Sequence, residues 1–122
     1  MKLTNNQIYT YATELAAAFQ DSTQKLPIKV NFYLQKNKET LLAMAQDIEK
    51  TRVELLNNYG ELDAETNRFT IKPECIETAS KELEDLFNLE QEINIYKVNI
   101  DNFGDDLTLT TGQMEALLFM ID

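Results

Sequence analysis

Between Pro27 and Tyr59 the chain reads PIKVNFYLQKNKETLLAMAQDIEKTRVELLNNY, its longest segment with helical periodicity. Leu34, Leu41, Ile48 and Leu55 recur every seven residues. Other residues join them three or four positions away: Val30, Met44, Ala45, Arg52 and Tyr59. Charged residues fill the opposite face, which is typical of an amphipathic helix with one buried side. The sequence therefore predicts one long helix over about residues 27–59, with Leu41, Ile48 and Leu55 in the core.

The ends of this helix carry start and stop signals. Pro27 suits a first helical position, where its missing N–H would have no partner. Gly60 follows two asparagines and a tyrosine. It suits the position just after a helix, where the backbone often takes the left-handed conformation. Residues 28–34 also alternate apolar and polar side chains, which is typical of a strand. We favour a helix there because Val30 and Leu34 continue the later stripe at a spacing of four residues.

Two other segments begin with the same capping sequence. Thr4 with Gln7 and Thr110 with Gln113 form capping boxes, each with an apolar residue on either side of the cap. They predict helices over about residues 5–20 and 111–121. The short polar connection 21–25 is typical of packed neighbours, so the first helix is expected to pack against the long one. The last helix is apolar on more than one side and is either central to the core or partly an interaction face.

The remaining elements are a third helix and short strands. Pro73 opens a helix predicted to reach Asn88, with Ile76 on its inner face. Strands are predicted over 69–71, 92–100 and 107–109. The apolar phase shifts within 92–100, which indicates either a bulge or two partly covered faces. The predicted fold is α+β, mainly helical, with four helices and a small antiparallel β element in a single domain of residues 1–122.

Charge is unevenly distributed along the chain. Residues 1–60 contain seven Lys/Arg and six Asp/Glu, whereas residues 61–122 contain four and fifteen. An acidic surface is a poor partner for nucleic acid or an anionic membrane and a good partner for a basic protein. Acidic surfaces also serve solubility alone, and both interpretations stay open.

Composition excludes several chemistries. The chain has no histidine, one cysteine, and three glycines in separate places. This excludes His-assisted nucleophiles, His- or Cys-based zinc sites and glycine-rich phosphate loops. A catalytic Glu/Asp pair stays compatible with the sequence, but most of the twenty-one acidic residues should be solvated. We expect no enzyme activity, no catalytic residues, no metal site and no cofactor.

Hydropathy bears on localisation. The N-terminal segment lacks a signal-peptide apolar run, and no later run reaches bilayer-spanning length. We expect a cytoplasmic protein without a membrane partner.

Scattered residues carry a family resemblance that covers most of the chain: Leu26-Pro27, Asn37, Arg52, Tyr59-Gly60 and Gln113-Met114-x-x-Leu117. At these positions the chain resembles small proteins of tailed phages and prophages of low-GC Gram-positive bacteria. The resemblance implies a phage gene product that acts in the host cytoplasm or in a virion. It implies no activity and no functional residues.

Two function classes follow. In the first, the protein inhibits a host protein with a basic surface, for example a defence or nucleic-acid-handling protein, by imitating a nucleic-acid backbone. The expected contact residues are Glu82, Glu84, Asp85, Glu90, Glu92, Asp105 and Asp106, with the apolar residues Leu117, Leu118 and Met120 as the alternative surface. No direct nucleic-acid contact is expected.

In the second class, the protein is a structural or assembly component of the particle. The long helix exceeds the roughly 28 Å diameter of a globule of this size. Part of its stripe is therefore expected to project and to form a homo-oligomer.

Overall fold

The computed structural model describes residues 1–19, 26–104 and 109–122. Within these ranges the chain forms four α-helices and four short strands. In chain order the elements are β1 (Lys2–Thr4), α1 (Asn5–Ala18), α2 (Ile28–Tyr59), β2 (Gly60–Asp63), β3 (Arg68–Ile71), α3 (Ile76–Asn88), β4 (Glu90–Glu92) and α4 (Thr111–Leu117). The strands pair as two separate antiparallel ladders, β1 with β4 and β2 with β3. The predicted α+β fold with mainly helical content is confirmed.

The long helix α2 spans Ile28–Tyr59, about 48 Å at 1.5 Å per residue. Residues 28–34 are helical, so the strand alternative is wrong. The buried residues are Val30, Leu34, Asn37, Leu41, Ile48 and Leu56. Leu41 and Ile48 are core residues as predicted, but Leu55 is only half-buried and Leu56 replaces it. A strict seven-residue spacing drifts by about 20° per heptad in a straight helix, and at this end Leu56 lines the same groove as Leu62 and Phe69 of β2 and β3.

Gly60 does not end the helix in the left-handed conformation that the sequence predicted. Its φ of −165° and ψ of −169° are extended, and it is the first residue of β2. A Cβ at this position would lie 2.3 Å from the carbonyl oxygen of Thr70 in β3. Glycine is therefore needed for the close approach of a neighbouring strand, and the helix passes into the strand without a connecting residue.

The β2–β3 hairpin runs in register from Gly60 opposite Ile71 to Asp63 opposite Arg68. The strand predicted at 69–71 is confirmed, but its partner β2 was not predicted. In the turn, the Asn67 N–H donates to the Asp63 carbonyl oxygen at 2.8 Å, and Asn67 has a φ of 56°. Asparagine tolerates this left-handed conformation better than most residues. The hairpin therefore begins directly at the end of α2, and the hydrogen bond from Asn67 to Asp63 closes its turn.

The strand predicted over 92–100 is wrong. Only Glu90–Glu92 is a strand, paired with β1, which the sequence did not predict. Beyond it the backbone bonds to a series of different partners: Ile93 N–H to the Met1 carbonyl, Tyr96 to the Asn37 side chain, and Val98 N–H to the Met120 carbonyl. No single neighbouring segment among the described residues runs beside residues 93–100 for long enough to form a ladder with them. The shift in apolar phase reflects these changes of partner.

Asn37 is a fully buried polar residue within the stripe of α2. Its Nδ2 donates to the Tyr96 carbonyl oxygen at 2.9 Å, and its Oδ1 accepts from the Tyr96 N–H at 2.8 Å. Nδ2 also lies 3.5 Å from the Met120 Sδ. One side chain thus satisfies both backbone groups of Tyr96, as a neighbouring strand would do.

Asn5 has a similar role at the start of α1. It is buried, its Nδ2 donates to the Leu86 carbonyl oxygen at 2.8 Å, and its Oδ1 accepts from Gln91 Nε2 at 2.6 Å. Its backbone N–H donates to the Leu89 carbonyl oxygen at 2.8 Å. These bonds join the start of α1 to the end of α3.

Both predicted capping boxes are present. The Thr4 hydroxyl accepts from the Gln7 N–H at 3.1 Å and the Gln7 side chain accepts from the Thr4 N–H, and Thr110 with Gln113 repeats the arrangement. The last helix is shorter than predicted, because after α4 the 3₁₀ turn Leu118–Met120 begins.

Two further predictions differ from the structure. Residues Pro73–Cys75 form a 3₁₀ turn, so α3 starts at Ile76, and Ile76 is 53% exposed instead of facing inward. Of the strand predicted at 107–109, only Leu109 lies within the described residues, and it is not in a strand.

Helix α1 packs against α2, as predicted, and also against α3 and α4. Tyr11 of α1 stacks on Phe119 with ring centroids 4.9 Å apart. Fourteen of the described buried apolar residues form one core cluster, and Leu56 and Ala79 are buried outside it. The cluster consists of Leu3, Ile8, Ala12, Leu15, Val30, Leu34, Leu41, Ile48, Ile93, Val98, Phe103, Ala116, Leu117 and Met120. In the described ranges, no helix combines the length and the apolar character needed to cross a membrane.

Candidate binding surfaces

The sequence predicted seven acidic residues as one partner-binding cluster: Glu82, Glu84, Asp85, Glu90, Glu92, Asp105 and Asp106. The first five are described, and all five are exposed. Asp105 and Asp106 lie outside the described residues.

The three acidic residues on α3 do not share one face. Side chains turn by about 100° per residue around a helix, so Glu84 lies roughly 160° from Glu82. Glu84 and Asp85 are on the side away from the buried Ala79. Glu82 instead faces the end of α2, where its Oε1 accepts from the Tyr59 hydroxyl at 2.8 Å. This hydrogen bond raises the pKa of Tyr59.

The two acidic residues of β4 lie beside β1. Glu90 is opposite Thr4 and Glu92 is opposite Lys2 in the ladder. Glu92 Oε1 is 3.3 Å from the N-terminal ammonium of Met1, which also donates to the Ile93 carbonyl oxygen at 3.2 Å. Glu92 is therefore partly neutralised. Glu82 and Glu92 each have a partner, whereas Glu84 and Asp85 form no ion pair among the described residues, although Asp85 lies only about 60° around α3 from Glu82.

The wider acidic surface is larger than the predicted cluster. Every described Asp and Glu of residues 61–122 is exposed. Of these acidic residues, Glu92 alone has a cationic group of a described residue within 4 Å. Exposed carboxylates without cationic neighbours keep a negative potential around this half of the molecule.

The start of α2 carries an exposed aromatic and basic surface that the sequence analysis missed. This α2-start patch consists of Ile28, Lys29, Phe32, Tyr33, Lys36 and Tyr96. Ile28 is 87% exposed and Phe32 is 54% exposed, on the face opposite the buried stripe. The Lys36 Nζ lies 5.5 Å from the centroid of the Phe32 ring.

Tyr96 joins this patch from another part of the chain. The rings of Tyr33 and Tyr96 have centroids 5.3 Å apart, and the Lys29 Nζ lies 5.7 Å from the Tyr33 centroid. The strand-like alternation of residues 28–34 was the available signal for the patch, because a helix with apolar residues on two faces produces the same alternation.

Among the described residues no group of three or more Cys, Asp and Glu side chains is arranged to hold a metal ion. The candidate sites described above are surfaces of ionic and apolar character. No protein-family model, no curated protein and no solved structure matches this chain.

Proposed function

We propose that this is a non-enzymatic phage or prophage protein that inhibits a host protein with a basic surface, such as a defence or nucleic-acid-handling protein. The observation that supports the proposal is the acidic surface of residues 61–122, whose described carboxylates are exposed and almost without cationic partners. The family resemblance of the sequence supports the phage origin.

The geometry favours the outer face of α3 as the contact. Glu84 and Asp85 are exposed, adjacent and not engaged in an ion pair among the described residues, whereas Glu82 and Glu92 already have partners. Carboxylates accept the same bidentate hydrogen bonds from arginine as phosphates do. A basic site that binds a nucleic-acid backbone therefore has the donors to bind this face.

The test is a charge reversal with a matched control. The tagged protein is used to capture a partner from host lysate, and affinity for the purified partner is then measured at low and high salt. We expect the Glu84→Lys, Asp85→Lys double variant to bind about tenfold more weakly or worse, since two favourable charge contacts become repulsive. Affinity of the unmodified protein should fall as salt rises, because salt screens exposed charges.

The control is Glu14→Lys with Glu39→Lys, two exposed residues on α1 and α2 that give the same change in net charge. It should bind nearly as well as the unmodified protein. Equal weakening by both double variants would show that net charge alone matters, and no weakening by either would rule out the acidic face as the contact. Circular dichroism melting of each variant verifies that it is folded.

A second candidate function is supported by the α2-start patch. Here the protein is an assembly component of a phage particle and forms oligomers through α2. The buried stripe of α2 does not project, because its residues from Val30 to Leu56 are covered within the same chain. The exposed residues Ile28 and Phe32 on the opposite face are the surface available for a second copy.

For this candidate we expect a concentration-dependent increase in mass by light scattering. Phe32→Glu should abolish it, because a charge at the centre of an apolar contact is costly to bury. Gln46→Glu, an exposed change on the same helix outside the patch, should not. A monomeric mass at all concentrations would reject oligomerisation as the function of the patch.

A further inference from the structure

A groove lies between the second half of α2 and the β2–β3 hairpin, with a volume of about 570 Å³. The chain has two arginines, and both line this groove, Arg52 from α2 and Arg68 from β3. They come from different elements, so the fold and not their sequence spacing brings them together.

The two arginines differ in their partners. Arg52 donates to both carboxylate oxygens of Glu49, from Nε at 2.9 Å and from Nη2 at 2.6 Å. This hydrogen-bonded pair lowers the pKa of Glu49 and raises that of Arg52. Arg68 is exposed and has no ion pair among the described residues, although Asp63 lies opposite it in the ladder. The three charged groups that line the groove, Glu49, Arg52 and Arg68, therefore leave one net positive charge in the lining.

The rest of the lining is mainly apolar. Leu56 forms the buried part, Phe69 is half-buried, and Leu62 is exposed at the edge. A groove of several hundred Å³ with apolar walls and a few charged groups has the character of a small-molecule site. The apolar walls favour a ligand with a hydrocarbon part, and the excess positive charge favours a ligand with an anionic group.

We propose that this groove binds a small amphipathic monocarboxylate, with its carboxylate on Arg68 and its hydrocarbon part on Leu62 and Phe69. Guanidinium groups hold carboxylates by two parallel hydrogen bonds, which gives both strength and orientation. The one net positive charge of the lining matches a monoanion, whereas a dianion such as phosphate would leave one negative charge uncompensated. The site is separate from the acidic face of α3 and does not depend on the proposed inhibitory function.

The probes are octanoate, 1-octanol and octylammonium, which share a hydrocarbon chain and differ in charge, together with inorganic phosphate. Binding to the full chain is followed by amide chemical shifts in ¹H–¹⁵N NMR spectra, below the micellar range of each probe. We expect octanoate to shift amides of Arg68, Phe69 and Leu62 and to bind about tenfold more tightly than octanol. Octylammonium should leave these amides unshifted.

Arg68→Gln should weaken octanoate binding about tenfold, whereas Lys72→Gln, which removes a nearby positive charge outside the groove lining, should not. The NMR spectrum of each variant shows directly whether it is folded. Octanoate binding equal to that of octanol, unchanged binding to the Arg68 variant, or displacement of octanoate by an equal concentration of phosphate would each overturn the proposal.

Discussion

Replacing Asn37 with leucine is expected to lower the free energy of unfolding by about 2–5 kcal/mol. Leucine has the branched skeleton of asparagine but bulkier ends, so some overpacking adds to the main effect. That effect is that the N–H and the carbonyl of Tyr96 lose the only partners the structure gives them among the described residues. An unsatisfied buried polar group costs about 1–3 kcal/mol, and the two affected groups of Tyr96 are part-buried, which places each toward the lower end of that range. Urea denaturation followed by circular dichroism measures the change.

The matched control is Asn31→Leu, an exposed asparagine on the same helix. It should change stability by no more than about 0.5 kcal/mol. Hydrogen exchange adds a local measurement, because the Tyr96 amide should lose protection in the Asn37 variant more than the Val98 amide, which bonds to the Met120 carbonyl. If the Asn37 variant were as stable as its control, Tyr96 would have to find other partners, and the role given to Asn37 would be wrong.

Gly60→Ala is the second change with a large expected effect, a loss of about 1–3 kcal/mol or more. The backbone at Gly60 is extended and accepts any residue, so the whole cost comes from the new Cβ, which would lie 2.3 Å from the Thr70 carbonyl oxygen. Either β3 must move away or the last turn of α2 must bend, and overpacking of this kind is destabilising. Thermal and urea unfolding both report the change.

Gly112→Ala is the control because it has the opposite expected sign. Gly112 lies in the first turn of α4, and the nearest atom to an added Cβ is the Thr110 Oγ1 at 4.0 Å. Alanine should therefore stabilise the protein by about 0.5–1 kcal/mol through its higher helix propensity. A stabilising effect at both positions would show that β3 does not approach Gly60 as closely as the structure has it.

The helices were predictable because their determinants are local. The capping boxes at Thr4 and Thr110 and the stripe from Val30 to Ile48 depend on residues within one or two turns, and all three lie where the sequence places them. The ends were less accurate, because the residue that finishes a stripe depends on what packs there. Leu56 replaces Leu55 for that reason.

The strands were not predictable in the same way, because a strand needs a partner that the sequence pattern does not identify. The segment 92–100 has the composition of a strand, but its neighbours are the N-terminus, the Asn37 side chain and the 3₁₀ turn at Leu118–Met120. Asn37 itself was a readable signal. It lies three residues after Leu34 and four before Leu41, so a polar residue in the stripe indicated a buried partner.

The candidate sites also combine features that the sequence predicts with features that depend on how the elements pack. Exposure of the acidic residues was predictable from composition, whereas their grouping depended on which side of α3 faces α2. In that orientation Glu82 accepts a hydrogen bond from the Tyr59 hydroxyl, whereas Glu84 and Asp85 face outward. The arginine groove was beyond sequence reasoning, because it requires knowing that the hairpin folds back along the helix.

The direct passage from α2 into β2 also limits how the chain can change in length. One residue added before Gly60 would rotate the start of the strand by about 100° around the helix axis and would exchange the two faces of every following strand residue. The turn at residues 64–67 has no such constraint, because both strands already hold each other in register there. We therefore expect insertions to be tolerated better at the tip of the hairpin than at its base.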